Sequence, residues 1–542
     1  MDTFINNRGK NNIDFDYILD RLNVYTPYGR KRKKKLKPFV LGEEKKLKKE
    51  LSLVKEFIEL MYNERYLFIK LRDIFVHIKD LENSIKRALD NNVLSEVELF
   101  EVKNFIFLLK DIINEVKKID YTFPKDIMVK RIKGLESLLD PKGDNVKTFY
   151  IYDEYSEVLR DIRKEKKKVQ RAIKLERKRL KDKVEKDLNI KVKGNGNIVV
   201  LKNDDRLLKK LNDHPNLKYN SETYMNIKYS IRTTDKIDDL EIRLERLKEY
   251  EESEEYDIRK SLSKKIADLS EDIFYNMDMV GKLDLTIAKA NMAIETNGVM
   301  PNITDKNIIE FQNAKHIKVE DNLHKNRKSF VPISVKLKKG VTCITGANMG
   351  GKTVSLKLIG LMCTMAQYGL FVPCEKMTFG LRSFVYVSIG DLQSTDMGLS
   401  TFGGEIENIQ QAIERTENRG LILIDELARG TNPIEGYAIS KAIINHLKKK
   451  DSITVITTHY DNIAKDKDVI HLQVIGLSDI DFDKLKEELR ENDYGIEAVA
   501  KYMDYRLIEV KSTKEVPKDA INIARLMGLD PEIVRAAEEA LN

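Results

Sequence analysis

Only three cysteines, Cys343, Cys363 and Cys374, occur in 542 residues. They form no CxxC pair and leave an odd one over, which argues against a disulfide scaffold or a Cys-rich zinc site and fits a reducing cytoplasm. Glycine (26) and proline (11) are scarce, so a loop-rich β protein is not expected. The first residues, MDTFINNRGKNNIDF, carry no apolar stretch, and no secretory signal is expected. Long uncharged runs are also missing. The nearest, Leu358 to Cys374, falls short of the roughly 20 residues a membrane span needs and is interrupted by Gly360, Gln367, Gly369 and Pro373. It reads as a buried helix followed by a strand, and no membrane association is expected.

What is abundant is charge. Charged residues make up 34% of the chain, against a usual level of about 25%. Lys and Arg (96) exceed Asp and Glu (88), for a net charge of +8. With 42% hydrophobic residues the chain can still build cores, so the excess charge points to long solvated helices. Residues 30–37, RKRKKKLK, hold seven basic residues in eight. This tract reads as a basic N-terminal tail over 1–40, either simply solvated or an interaction arm. A helical core or lever domain is expected over 41–300.

Within that region two segments carry a thin apolar seam. Ile162, Val169, Ile173, Leu180 and Val184 are spaced by 7, 4, 7 and 4, a narrow stripe on a charged helix. A matching stripe runs from Ile237 through Leu240, Leu244 and Leu247 to Ile258, Leu262, Ile266, Leu269 and Ile273. Neither helix is stable alone, so the two are expected to pack antiparallel as an arm (154–190 and 236–280), a structural coiled coil or a lever. Residues 191–235, with Gly/Asn turns and short β-like runs, are expected as a small α+β tip.

Beyond about residue 310 short β-branched runs (VTCITG, LILIDE, ITVITTH) alternate with helical segments, the pattern of buried parallel strands in an α/β domain. Gly346 to Thr353, GANMGGKT, is a complete GxxxxGK(S/T) between an apolar strand and an apolar helix. Its glycines let backbone N–H groups surround a phosphate at a helix N-terminus. Lys352 is then expected to reach the β- and γ-phosphates and Thr353 to ligate Mg²⁺. LILIDE delivers Asp425 at the end of a buried strand for the Mg²⁺ shell and places Glu426 to polarise an attacking water. Thr457-Thr-His459 ends another strand, where His459 suits a γ-phosphate sensor. Ser400 lies in a Ser/Gly-rich turn opening the helix expected over 406–413. It is either an ordinary N-cap or a second anion site for a partner subunit's nucleotide.

The segments TGANMGGKT, SIGDLQSTDMGLSTF, LILIDELARGTNPIEG and TTHY together resemble the nucleotide-site blocks of the MutS family, a branch of the ABC-type ATPases. The wording around GGKTVSLKLIGLMCTMAQYGLFVP is most similar to the short second-type MutS branch, and GKLDLTIAKANMA (281–293) resembles the last core helix before its ATPase domain. The resemblance covers about 150–475 and is strongest over 340–460. It implies an α/β P-loop NTPase of ABC/MutS type over 301–475, followed by an extension and helical dimerisation tail over 476–542.

Residue by residue, the resemblance implies that Gly346, Asn348, Met349, Gly350, Gly351, Lys352, Thr353 and Val354 hold ATP. Phe330 stacks on adenine, and Thr353 and Asp425 serve Mg²⁺. Glu426, His459 and Lys352 act in hydrolysis, and Ser400 reaches the γ-phosphate of the other subunit of a homodimer or of a heterodimer with a related chain. Asn432 falls where the family's dimer-crossing loop runs, and the arm and tip resemble its lever and DNA clamp.

The departures are equally specific. There is no GxFYE-type mismatch reader, since Phe57-Ile-Glu59 lies in an amphipathic helix, and no room for a mismatch domain. No Smr-like nuclease module is expected, and VPKDAINIARLMG (516–528) stands where an SYGI-like stretch is usual. The leading expectation is a cytoplasmic Mg²⁺-ATPase that clamps duplex or branched DNA as a dimer. The alternative is a chaperone-like ATPase that reactivates a protein client, such as a cobalamin-dependent aminomutase of the lysine 5,6-aminomutase type, without acting on DNA.

Overall fold

A computed structural model describes residues 4–192, 196–346, 351–389, 401–428, 431–458, 466, 468–476, 504–510, 521, 524–525 and 529–541. The chain is mixed α/β and divides into two compact units, one of residues 77–279 and one combining 1–76 with 280–542.

In the 77–279 unit the amphipathic helix Glu96–Val116 supplies the core with Leu99, Val102, Phe105, Ile106, Leu109 and Ile112. It starts at a capping box in which Ser95 and Glu98 satisfy each other's backbone N–H groups. Two long helices, Glu157–Leu188 (32 residues) and Asp235–Asp268 (34 residues), follow. Each is about 50 Å long at the helical rise of about 1.5 Å per residue.

These two helices pack antiparallel. Their cross-pairs run in opposite residue order, from Arg163 with Glu251 (2.9 Å) and Glu255 (2.7 Å) to Lys236 with Glu176 (2.9 Å). The Lys236 pair is exposed and contributes at most about 1 kcal/mol, while the Arg163 pairs are partly buried and their attraction is offset by desolvation. The pairing also rests on the seam, where Leu159, Val169, Ile173 and Leu180 of the first helix and Ile237 and Ile258 of the second are buried. Between the helices, β1 (Asn197–Leu201), β2 (Leu217–Glu222) and β3 (Asn226–Ile231) form an antiparallel sheet of order β1-β3-β2. With the helix Asp205–Asn212 it encloses its own core of Val184, Val192, Ile198, Val200, Leu211, Leu217 and Tyr229.

The second unit holds two sheets. β4 (Asn302–Ile303), β5 (Ile308–Ala314), β6 (Ile333–Lys338) and β8 (Lys376–Phe379) form one, in the order β4-β8-β5-β6. The larger sheet contains β7 (Gly340–Thr345), β9 (Val385–Ser388), β10 (Leu421–Ile424), β11 (Ile453–Thr457), β12 (Ile470–Gly476) and β13 (Asp504–Glu509). Its order is β13-β12-β7-β11-β10-β9, and every neighbouring pair is parallel except β12–β13. β7, β10 and β11 are buried at every position, as their unbroken apolar runs require when helices cover both faces. The helices Lys352–Gln367 and Pro433–Leu447 supply part of that cover.

Residues 358–374 are the end of one helix and a single bridge from Val372 to Val299 rather than a helix and a full strand. Among the described residues no helix is long and apolar enough to cross a membrane. Burial pushes the thiols of Cys343, Cys363 and Cys374 up to about 12, so all three are unreactive packing groups.

Residues 1–40 depart from the expected tail. They form the helices Asn7–Asn12, Phe15–Arg21 and Pro27–Lys34, with Ile13, Phe15, Ile18 and Leu22 buried. The Val385 N–H donates to the Phe4 carbonyl (2.7 Å), and Gln367 donates to the Phe39 carbonyl (2.8 Å). The charge density of the tract masks this sparse apolar set. Residues 41–76 also join the unit of the large sheet rather than the other helices: Lys289 pairs with Glu50 at 2.6 Å and donates to the Tyr368 carbonyl at 3.3 Å. Phe57 is fully buried, as its place on an amphipathic helix implies.

The anchor of these helices is Asp284, buried on the helix Ser270–Glu295. Its carboxylate accepts from the N–H groups of Tyr25 (3.0 Å) and Thr26 (2.7 Å) and from the Thr26 hydroxyl (2.7 Å). Burial pushes its pKa up against the pull of these donors. Asp284→Ala leaves the donors unpaired, and at about 1–3 kcal/mol for each unsatisfied buried group it is expected to lower the urea unfolding midpoint by an amount equivalent to about 3 kcal/mol. A midpoint equal to the parent's would show that the anchor carries no stability.

Candidate functional site

The C-terminal ends of β7, β10 and β11 lie side by side, the edge at which open α/β sheets bind ligands. β7 runs out at Thr345 into Gly346, whose φ of +132° no other residue tolerates. Five residues later Gly351 (φ +80°) caps the helix Lys352–Gln367 in a left-handed conformation. A Cβ on Gly351 would lie 2.8 Å from the Tyr505 ring on β13, and one on Gly346 would lie 3.2 Å from the Val474 side chain on β12. The antiparallel ribbon β12–β13 thus backs both glycines. Lys352 is buried, and its ammonium donates to the Gly346 carbonyl at 2.6 Å. A cation held at the mouth of a glycine turn and beside a helix N-terminus makes an anion site.

The second half of the site comes from β10. Asp425 follows the four buried residues of that strand, and its N–H donates to the Ser388 carbonyl on β9 (2.8 Å). Its carboxylate accepts from the Thr353 hydroxyl at Oδ2 (2.9 Å) and from the Thr457 hydroxyl at Oδ1 (2.6 Å). The Thr457 oxygen in turn accepts from the Glu426 N–H (2.9 Å). One carboxylate and two hydroxyls therefore tie together the helix after the glycine turn, the end of β10 and the end of β11. Glu426 and Ala428 both have left-handed backbones (φ +55° and +61°). Such residues cost about 1–3 kcal/mol each and persist where neighbours over-determine them. Here the Thr457 hydroxyl fixes the Glu426 amide, and the Ser440 hydroxyl donates to the Leu427 carbonyl (3.3 Å).

Among the residues singled out from the sequence, Gly346, Gly351, Lys352, Thr353, Asp425 and Glu426 come together at this edge. Val354 follows on the first turn of the helix. Phe330 is half-buried and precedes β6 of the smaller sheet, with that strand still between it and β7. Asn348, Met349, Gly350, Ser400 and His459 lie outside the described residues. The helix expected over 406–413 starts earlier, at Thr401. Asn432 caps the helix Pro433–Leu447, its side chain accepting from the Ile434 N–H (2.9 Å).

Three contributions went unread: the hydroxyl of Thr457, the Thr345–His471 hydrogen bond (2.8 Å) between β7 and β12, and Tyr505 against Gly351. The signal available for Thr457 was a hydroxyl at the last position of an otherwise apolar strand. Thr457→Val keeps the shape and strands the Asp425 and Glu426 partners, at a cost of about 1–3 kcal/mol. It is expected to lower the urea midpoint with an unchanged m-value, whereas Thr457→Ser keeps the parent midpoint; equal midpoints for Val and Ser would remove the hydroxyl from the account.

Residues 342–542, which include every element of this edge from β7 onward, match the family model of MutS domain V. The chain is 30% identical over 476 residues to a protein of Halothermothrix orenii named endonuclease MutS2, covering 83% of this chain and 57% of that protein. It is 28% identical over 518 residues to the protein of that name from Caldanaerobacter subterraneus, covering 93% and 61%. A third, from Clostridium kluyveri, is 40% identical over 223 residues, 41% of this chain and 28% of that protein. The chain thus spans about three fifths of the length of the first two relatives. Taken with the glycine turn, the buried lysine and the Asp425–Glu426 strand end, these matches establish that the chain belongs to the MutS family, in its MutS2 branch.

Proposed function

We propose that this protein is a Mg²⁺-dependent ATPase that works as a dimer on DNA, closing the antiparallel helices and their tip around a duplex or branched substrate. The observation that carries the reading is the Thr353–Asp425 hydrogen bond across 72 residues of sequence, beside the buried Lys352. The donor set fits the ligand: a hydroxyl and a carboxylate are the hard oxygens Mg²⁺ selects, and the glycine turn and helix N-terminus suit a polyphosphate.

In this reading Thr353, whose hydroxyl donates to Asp425, and Asp425 would hold Mg²⁺, which would offset charge on the phosphates of ATP. Lys352 would offset the charge that develops on the transferred phosphoryl group. Gly346, Asn348, Met349, Gly350, Gly351 and Val354 line the phosphates, and Phe330 stacks on the base. Glu426, its backbone pinned through Thr457, orients a water and takes its proton. His459 senses the γ-phosphate, and Ser400 completes the site of the other subunit, so that turnover requires two chains. The P-loop domain thereby becomes the motor and the long helices its lever. DNA as the substrate draws on membership of the MutS family and on the net charge of +8.

Loss of a positioned general base costs about 10²–10⁴ in rate. Glu426→Gln is therefore expected to bind ATP as tightly as the parent while single-turnover hydrolysis falls at least about a hundredfold. Hydrolysis within threefold of the parent would remove Glu426 from the chemistry. Mixing Ser400→Ala with Lys352→Ala chains is expected to give ATPase activity that depends on which chain carries which change; activity indifferent to that distribution would exclude a shared site.

A further inference from the structure

We infer that the helix Pro27–Lys34, with the residues that follow it to Lys37, is a fixed phosphate-binding surface for the backbone of a nucleic-acid duplex, carried by the unit that contains the ATP site. The inference rests on the DNA reading above and names a surface that the reading does not contain.

A flexible polycation tail would need no particular support. This segment is held in place from three sides. Thr26 caps the helix, its hydroxyl accepting from the Gly29 N–H (2.8 Å) and donating to the buried Asp284 carboxylate (2.7 Å). Gly29 lies so close to that carboxylate that a Cβ there would be 2.1 Å from Oδ2, and a Cβ on Gly281 would be 2.9 Å from the Tyr28 carbonyl. Glycine at both positions is what lets the two helices approach backbone to side chain. Arg30 and Lys33 then fold back on the preceding turn, donating to the carbonyls of Tyr25 (2.9 Å) and Leu22 (3.0 Å).

The surface so fixed is of one sign. No acid occurs between Asp20 and Glu43, a stretch holding all seven basic residues of 30–37. Arg30, Lys34, Lys35 and Lys37 are exposed, and Lys34, Lys35 and Lys37 make no ion pair among the described residues. The helix dipole accounts for cations in the last turn, at about 0.3–1 kcal/mol each. Arg30, one turn upstream, is drawn toward the Asp284 carboxylate, but neither effect accounts for Lys37 beyond the helix end. Asp284 and Glu50 offset Arg30 and Arg32 from within the fold, and the outward cations Lys34, Lys35 and Lys37 are left to meet an anion outside.

The charge density fits duplex DNA. The four exposed cations, Arg30, Lys34, Lys35 and Lys37, fall within eight residues, an array dense enough to meet several phosphates of a duplex that carries one charge per about 1.7 Å of axis. Such contacts position a duplex without reading its sequence. Because the array is already ordered, binding does not have to order a tail.

The test replaces the three exposed cations that make no holding contact (Lys34→Gln, Lys35→Gln, Lys37→Gln) in the full chain. Binding to a fluorescent duplex is followed by anisotropy across a salt series, with the thermal unfolding midpoint as the control for folding. Each phosphate contact contributes about 0.9 to the slope of log K against log salt. The variant is therefore expected to lose about 2–3 from that slope and at least about tenfold in affinity at low salt, with an unchanged midpoint. Parent and variant binding alike, with equal slopes, would overturn this surface and leave the DNA reading standing. A parent that binds no duplex would overturn both. Binding to phosphatidylserine vesicles in place of duplex would overturn the nucleic-acid assignment in favour of a membrane surface.

Discussion

The carboxylate of Asp425 is the constraint on which the site depends. Among the described residues it is the group that touches both the hydroxyl opening the helix Lys352–Gln367 and the hydroxyl closing β11. Three chain segments far apart in sequence are registered to one another within hydrogen-bonding distance, and the Glu426 amide is fixed through the same Thr457 oxygen. A carboxylate whose two oxygens each accept from a hydroxyl keeps its charge in place while presenting that charge to a cation, which is the geometry a Mg²⁺ site needs. The strained backbone at Glu426 becomes affordable because it is held at both ends.

Around this point the unit adds close approaches at glycines to the packing of its buried core. Gly346 and Gly351 admit Val474 and Tyr505, so the β12–β13 ribbon packs against both glycines. Gly29 and Gly281 admit Asp284 and Tyr28, so the basic helix is seated on the helix Ser270–Glu295. In each case the missing Cβ allows a neighbour to replace flexibility with contact. The other unit follows a different rule: its two long helices hold each other by a thin apolar seam, and the ion pairs along them, Arg163 with Glu251 and Glu255 among them, set direction more than strength.

Much of this was legible in the sequence where chemistry restricts the residues. GxxxxGK(S/T), the apolar run into Asp425-Glu426 and the seam from Val169 to Val184 each have one physical solution, and the residues of the first two meet at one sheet edge. What could not be read depends on contacts between distant residues. Nothing local marks Thr457 as the bridge between Asp425 and Glu426, or Tyr505 as the partner of Gly351. The N-terminal helices were hidden for a different reason: the charge run 30–37 dominates its window, while the residues that decide the outcome, Ile13, Phe15, Ile18 and Asp284, are sparse or lie some 250 positions away. Composition reported a tail where three-dimensional burial makes an anchored helix.

The measurement that bears most directly on the account is the Mg²⁺ dependence of ATP binding to the parent and to Asp425→Asn, which keeps an acceptor oxygen for one hydroxyl and removes the charge. Affinity for a fluorescent ATP analogue would be titrated with Mg²⁺ and with EDTA. The account requires the parent to bind more tightly with Mg²⁺ and Asp425→Asn to lose most of that gain while keeping its Mg²⁺-free affinity. Equal Mg²⁺ gains in the two proteins would place the metal elsewhere and contradict the role given to Asp425.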